Sequence, residues 1–296
     1  MTQQTKPPVA WIGTGIMGLP MAGHLQKAGY PLTVYTRTPA RAKPLTEAGA
    51  SVAASPAEAA SGAKVVFICV TDTPDVEQVL FGEGGLASVA GPELVVVDHS
   101  TISPTFTQSA AARLAEMGLA LVDAPVSGGD TGARNGTLSI MCGGEASAFD
   151  RVRPIMEAYG KTITHCGAAG HGQLTKLVNQ ILVSVTNLAT AEAVTFAQAA
   201  GLDPATTISA VGGGAAGSWQ LSNLGPKMFA DDFAPGFMID LQQKDLRLVL
   251  EYAREKGLPL LATSLVHQLL TSAQAAGRGK EGTQALVSVL RALRPS

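Results

Sequence analysis

The chain has 296 residues, 46% of them apolar and 15% charged, with a formal charge of −2. That is material for about two domains with substantial cores on a prior of ~150 residues each. It lacks the basic footprint of a nucleic-acid binder and the polybasic patch of a membrane-surface protein.

The first segment, Met1–Pro8, is polar and has no apolar signal core. No apolar run reaches the roughly 18 residues of a membrane span. A cytoplasmic protein with no membrane or nucleic-acid partner is the expectation. Cys69, Cys142 and Cys166 are odd in number and lack metal-ligand spacing. They read as reduced thiols buried as small apolar groups; a catalytic cysteine would need an activating neighbour. The histidines are scattered, so no metal is assigned.

The first half alternates short apolar runs with helical stretches. Val9–Ile12 reads as a strand, followed by a glycine-rich turn and a helix from about Met17 to Gly29. Leu32–Tyr35 and a helix over Arg41–Ala48 come next. Val65–Val70 and Leu94–Asp98 are continuous apolar runs, as strands covered on both faces require. Leu121–Val122 and Leu138–Met141 continue the series. This rhythm predicts a parallel sheet with helices on both faces.

The second half loses the rhythm. Gln173–Ala200 reads as one long helix, buried rather than membrane-spanning, because Lys176, Asn179, Gln180, Asn187 and Glu192 interrupt it. Helices near Pro204–Val211, Ile239–Lys256, Ala262–Ala276 and Thr283–Leu293 follow. Glycines punctuate Thr164–Gly170, which divides the chain into domains 1–166 and 167–296.

Gly13, Gly15 and Gly18 form G-x-G-x-x-G directly after a strand and at the start of a helix. The first glycine makes the tight turn, the second admits a pyrophosphate to the backbone, and the third lets helix and strand pack closely. In that context the loop Gly13-Thr14-Gly15-Ile16-Met17-Gly18 is a dinucleotide site. The second strand ends in Tyr35-Thr36-Arg37-Thr38, where NAD sites usually carry an acidic residue. No carboxylate stands there. Arg37, with the Thr38 hydroxyl nearby, suits a 2′-phosphate, so NADP(H) is favoured and NAD(H) remains open.

Lys176, Asn179 and Gln180 share one helix face. A polar stripe on an apolar helix is costly unless it faces a cleft or a partner. Hydride transfer to a carbonyl leaves an alkoxide, and a partly desolvated lysine can protonate it. In Asp123–Gly129, Ser127, Gly128 and Gly129 offer a hydroxyl and unhindered N–H groups that can cradle a carboxylate; read alone, the segment is only a turn.

Together these segments resemble the β-hydroxyacid dehydrogenase family. The resemblance is carried by Ile12–Gly18, Asp98–Pro104, Asp123–Gly129, Gly136–Met141, Gly170–Asn179 and Lys244-Asp245-Leu246, in family order over nearly the whole chain. It implies a doubly wound Rossmann domain joined by a long helix to an all-helical domain, and a homodimer or homotetramer. It implies Lys176 as general acid/base, with Asn179 orienting it and the substrate. It implies Ser127, Gly128 and Gly129 as the carboxylate cradle, with Gln180 standing where many members have a second Asn. Thr101, Val70, Thr71 and Lys244 would contact the cofactor.

The activity implied is hydride exchange between a nicotinamide and a small carboxylate-bearing 3-hydroxy acid or semialdehyde. Gln180, Asp72–Phe81 and Gly212–Ser218 resemble the tartronate semialdehyde reductase branch. 3-Hydroxyisobutyrate dehydrogenase and glyoxylate/succinic semialdehyde reductase are the alternatives. An imine reductase would generally lack Lys176, and a non-catalytic nucleotide sensor would not need the Lys176–Asn179 pair. His99 stands where Met is common and reads as a packing substitution. Trp219, Phe229, Phe233, Phe237 and Met238 read equally as substrate wall or core. Glu281–Leu286 lacks the usual Asp before the last helix.

Overall fold

A computed structural model describes residues 6–89, 91 and 94–293. Met1–Thr5 of the polar first segment thus lie outside the described residues. Two compact units divide between Lys176 and Leu177.

The first unit begins β1 (Val9–Ile12), α1 (Gly18–Lys27), β2 (Leu32–Tyr35), α2 (Lys43–Glu47) and β3 (Ser51–Val52). A 3₁₀ turn over Pro39–Ala42 precedes α2, so the helix expected at Arg41–Ala48 is split in two. Then come α3 (Pro56–Ala60), β4 (Val65–Ile68), α4 (Thr73–Phe81), β5 (Val95–Asp98), α5 (Pro104–Glu116) and β6 (Ala120–Asp123). Side-chain caps start three of these helices. Ser55 accepts from Glu58 N–H, Asp72 from Thr73 N–H and Ser103 from Phe106 N–H, each with Pro in the first turn. The unit ends with β7 (Val126–Ser127), α6 (Gly129–Asn135), β8 (Leu138–Gly143), α7 (Ala146–Met156), β9 (Gly160–Gly167) and the start of α8 (His171–Ala199).

Strands β3, β2, β1, β4, β5 and β6 lie side by side, all parallel. This is the order of a doubly wound nucleotide-binding sheet. The expected parallel series stops at β6: β8 joins it antiparallel, β7 pairs antiparallel with β8, and β9 runs parallel to β8. Alternate residues of each strand enter opposite cores. Val9, Trp11, Phe67, Val95 and Val97 pack on one face, and Ala10, Ile12, Val66, Ile68 and Val96 on the other.

The second unit is helical: most of α8, then α9 (Pro204–Gly212), α10 (Trp219–Asn223), α11 (Gly225–Phe229), α12 (Ile239–Glu255), α13 (Leu261–Ala275) and α14 (Leu286–Ala292). Its core joins Leu188, Leu246, Val266, Leu270 and Leu286. Phe229 and Phe233 pack beside Met228 in a second cluster, whereas Trp219 is exposed. By length and composition α8 meets the criterion for a membrane span, yet its buried residues include Gln173, Lys176, Gln180, Ser184, Asn187 and Thr190, while Val178, Leu182 and Phe196 are exposed.

Candidate active site

Ile12, Tyr35, Ile68, Asp98 and Asp123 pair in register and end five parallel strands at one level. Ligands of open α/β sheets bind outside such carboxyl ends. The glycine loop, Arg37, Val70, Thr71, Thr101 and Ser127 all follow them.

Gly13 has φ +96°, and a Cβ there would lie 2.2 Å from the Cys69 carbonyl oxygen. Only glycine makes this turn against the end of β4. A Cβ on Gly18 would lie 2.1 Å from the Gly13 oxygen, whereas one on Gly15 would meet nothing within 4 Å. The first and third glycines thus close the loop, and the second leaves its backbone open to a ligand. Buried Thr14 has no hydrogen-bond partner for Oγ1 among the described residues. Such a hydroxyl costs about 1–3 kcal/mol when unsatisfied, so the loop fits a ligand rich in acceptor oxygens, as a pyrophosphate is. Ile16 is exposed, and Met17 packs against the core.

Arg37 and Thr38 are exposed. Arg37 Nη1 lies 2.8 Å from Asp75 Oδ1, 38 residues away in the first turn of α4. The end of β2 therefore does have a carboxylate beside it, supplied by another element. Val70 N–H donates to Ser100 Oγ at 3.0 Å, which joins the loops after β4 and β5; Thr71 is exposed.

Asp123, fully buried at the end of β6, accepts from Gly170 N–H on Oδ1 and Gln173 N–H on Oδ2, both at 2.8 Å. It caps α8. Burial pushes its carboxyl above the usual carboxylate range, against the pull of these backbone donors. The helix sits so close that a Cβ on Gly172 would lie 2.4 Å from the Met141 oxygen. One turn on, Lys176 is 7% exposed and its Nζ donates to the Val126 carbonyl at 2.8 Å. Ser127 follows, then Gly128 (φ +133°) and Gly129 (φ +64°).

The carbonyl of Ala124, on the same loop, accepts from His99 Nδ1 at 2.6 Å. A carbonyl only accepts, so Nδ1 carries the proton. Burial pushes the His99 pKa down to about 4 and the ring is neutral at pH 7, so Nε2 accepts the Tyr159 hydroxyl proton at 2.8 Å. The ring also stacks on Trp11 and Phe67. His99 is thus more than a packing substitution, because it holds the loop that meets Lys176.

In the second unit, Asn179 Nδ2 donates to Gln180 Oε1 at 2.7 Å, and Gln180 Nε2 donates to Asp245 Oδ2 at 2.5 Å. Lys244 Nζ lies 2.7 Å from Asp245 Oδ1. Asp245, 2% exposed, therefore gathers the three expected site residues of this unit. Among the described residues no group of three or more His, Cys, Asp or Glu could hold a metal. Cys142 is buried and its thiol is pushed up to about 12; Cys69 and Cys166 are only half-buried, contrary to the expectation for all three.

Residues 8–167 match the NAD-binding domain of 6-phosphogluconate dehydrogenase, and residues 170–290 match the NAD-binding domain of NADP-dependent 3-hydroxyisobutyrate dehydrogenase. The 2-hydroxy-3-oxopropionate reductase of Escherichia coli is 43% identical over 95% of this chain and 96% of its own. An uncharacterised oxidoreductase of Synechocystis is 45% identical over 96% of this chain and 98% of its own. The structure of Mycobacterium tuberculosis 3-hydroxyisobutyrate dehydrogenase with L-serine matches with a TM-score of 0.88 at 30% identity, over 97% of this chain and 99% of that one.

The chain belongs to the β-hydroxyacid dehydrogenase family. It is an NAD(P)-dependent hydroxyacid dehydrogenase. In this β-hydroxyacid dehydrogenase, sequence reading gave no part to Asp75, Asp123, Gln173 or Asp245. Asp123 opens the Asp-Ala-Pro-Val-Ser-Gly-Gly segment and Asp245 sits beside Lys244, so position alone marked these two; nothing in the sequence pointed from Asp75 to Arg37.

Proposed function

We propose that this enzyme uses NADPH to reduce a small semialdehyde carboxylate to its 3-hydroxy acid, with tartronate semialdehyde as first candidate. The observation that carries this reading is Lys176 Nζ bonded to the Val126 carbonyl, one residue before Ser127, Gly128 and Gly129. The bond uses one N–H of the ammonium and fixes its head beside the proposed cradle. A nicotinamide held at this site would supply the hydride taken up by the aldehyde carbon. Lys176 then protonates the developing alkoxide, Ser127 with the Gly128 and Gly129 N–H groups holds the carboxylate, and Asn179 orients the substrate, with Gln180 as its neighbour. Thr101, Val70, Thr71 and Lys244 would hold the cofactor. The name of the E. coli relative supports the substrate choice.

Arg37 supports NADP(H), through a charge-assisted contact to the 2′-phosphate that takes the guanidinium from Asp75. The exposed Val178, Leu182 and Phe196 of α8 and Leu261 and Leu265 of α13 support a homodimer or homotetramer.

The test is steady-state oxidation of NADPH and NADH in parallel with tartronate, succinic and methylmalonate semialdehydes and glyoxylate. Fast NADPH-dependent reduction of tartronate semialdehyde is expected. A faster rate with another substrate reassigns the specificity, and no turnover with any overturns the reading. Arg37→Ala should raise the KM for NADPH about 10–100-fold, the worth of a charged hydrogen bond, and leave that for NADH unchanged; equal effects refute the cofactor choice.

A further inference from the structure

Gln173 is the most enclosed polar side chain of α8, at 0% exposure, and the chemistry above gives it no part. Its amide makes two bonds to main chain. Ile102 N–H donates to Oε1 at 3.1 Å, and Nε2 donates to the Ser100 carbonyl at 2.8 Å. These two groups flank Thr101, so one side-chain amide brackets the peptide segment that carries it. The Gln173 backbone N–H is meanwhile fixed by Asp123, and Lys176 stands three residues further along the same helix.

We propose that Gln173 is a positioning residue for hydride transfer. By clamping the backbone on either side of Thr101 to the helical turn that carries Lys176, it sets the spacing between the nicotinamide side of the site and the proton donor. The inference rests on the roles proposed for Thr101 and Lys176.

The bracket needs one donor and one acceptor at a fixed separation, in a place closed to water. Glutamine supplies both. A carboxylate of the same length accepts at both oxygens and turns a lone pair on the Ser100 carbonyl. Leucine fills the volume but leaves Ser100 C=O and Ile102 N–H without this partner. Displacements on the order of 1 Å away from the reacting atoms cost about 10²-fold in rate, so a loosened bracket is visible in kcat.

The experiment compares wild type, Gln173→Glu and Gln173→Leu. It measures reduction of the best substrate with NADPH and with NADPH deuterated at the transferred position, NADPH binding by fluorescence, and thermal melting. The expected result is a kcat lowered about 10–100-fold with substrate KM little changed. The primary isotope effect on kcat should rise, because the hydride step has slowed relative to product release. A wild-type isotope effect and wild-type kcat per folded enzyme would overturn the proposal, and so would lower melting temperatures with an unchanged isotope effect. If Gln173→Leu fails to fold, Gln173→Glu, which keeps the volume and the acceptor, decides alone. Wild-type turnover with unaltered variants defeats this inference only; absence of wild-type turnover defeats the functional reading and this inference with it.

Discussion

In the first turns of α8, Gln173 and Lys176 direct their side chains at main-chain groups of Ser100, Ile102 and Val126. A turn later, Gln180 directs its side chain at the Asp245 carboxylate, which also holds Lys244. Main-chain partners lose nothing to ionisation and fix where loops stand. Side-chain partners fix where charge stands, and fail when a proton or a counter-ion is removed. The first unit is thus built to hold positions, and this part of the second to hold a cation.

Three measurements strain that contrast. Lys176→Ala should lower kcat by about 10²–10⁴, the range for a lost general acid, while NADPH still binds; retained turnover would remove Lys176 from the chemistry. Asp245→Ala removes the carboxylate 2.7 Å from the largely buried Lys244 Nζ, so the unfolding free energy should fall by up to about 3–5 kcal/mol. Calorimetry showing an unchanged melting temperature would mean that Lys244 has turned to solvent and that the network holds no charge in place.

The smallest effect concerns His99. Its folded pKa of about 4 lies below the ordinary value of 6.5, so the unfolded chain binds the proton more readily between these limits. Stability is complete above pH 6.5 and should decline by up to about 3 kcal/mol as pH falls towards 4. His99→Met should flatten that acid limb in chemical denaturation. Parallel limbs for the two proteins would refute the neutral buried ring.

Val9–Ile12 was legible because both of its faces are buried and its apolar run is continuous; Leu32–Tyr35, buried at Leu32 and Val34 and half-buried at Thr33 and Tyr35, was legible from its alternation. β9, Gly-Lys-Thr-Ile-Thr-His-Cys-Gly, escaped notice because among the described residues only β8 pairs with it, and most of its residues stay exposed or half-exposed. Val65–Val70 was read two residues too long, since Cys69 and Val70 are apolar but belong to the loop where Val70 N–H meets Ser100. The glycine loop was legible because its spacing follows from backbone sterics. Arg37–Asp75 and Gln173–Ser100 were not, because 38 and 73 residues separate the partners and only the folded sheet brings them together.

The seat of α8 on Asp123 has a consequence for recombination between relatives. A chimera joined ahead of Gly170 would seat the helix of one parent on the buried capping carboxyl of another, and would need Gly172 in that helix to avoid the Met141 and Asp123 oxygens. A crossover placed after Lys176 carries the sheet, the cap and the lysine as one inheritance.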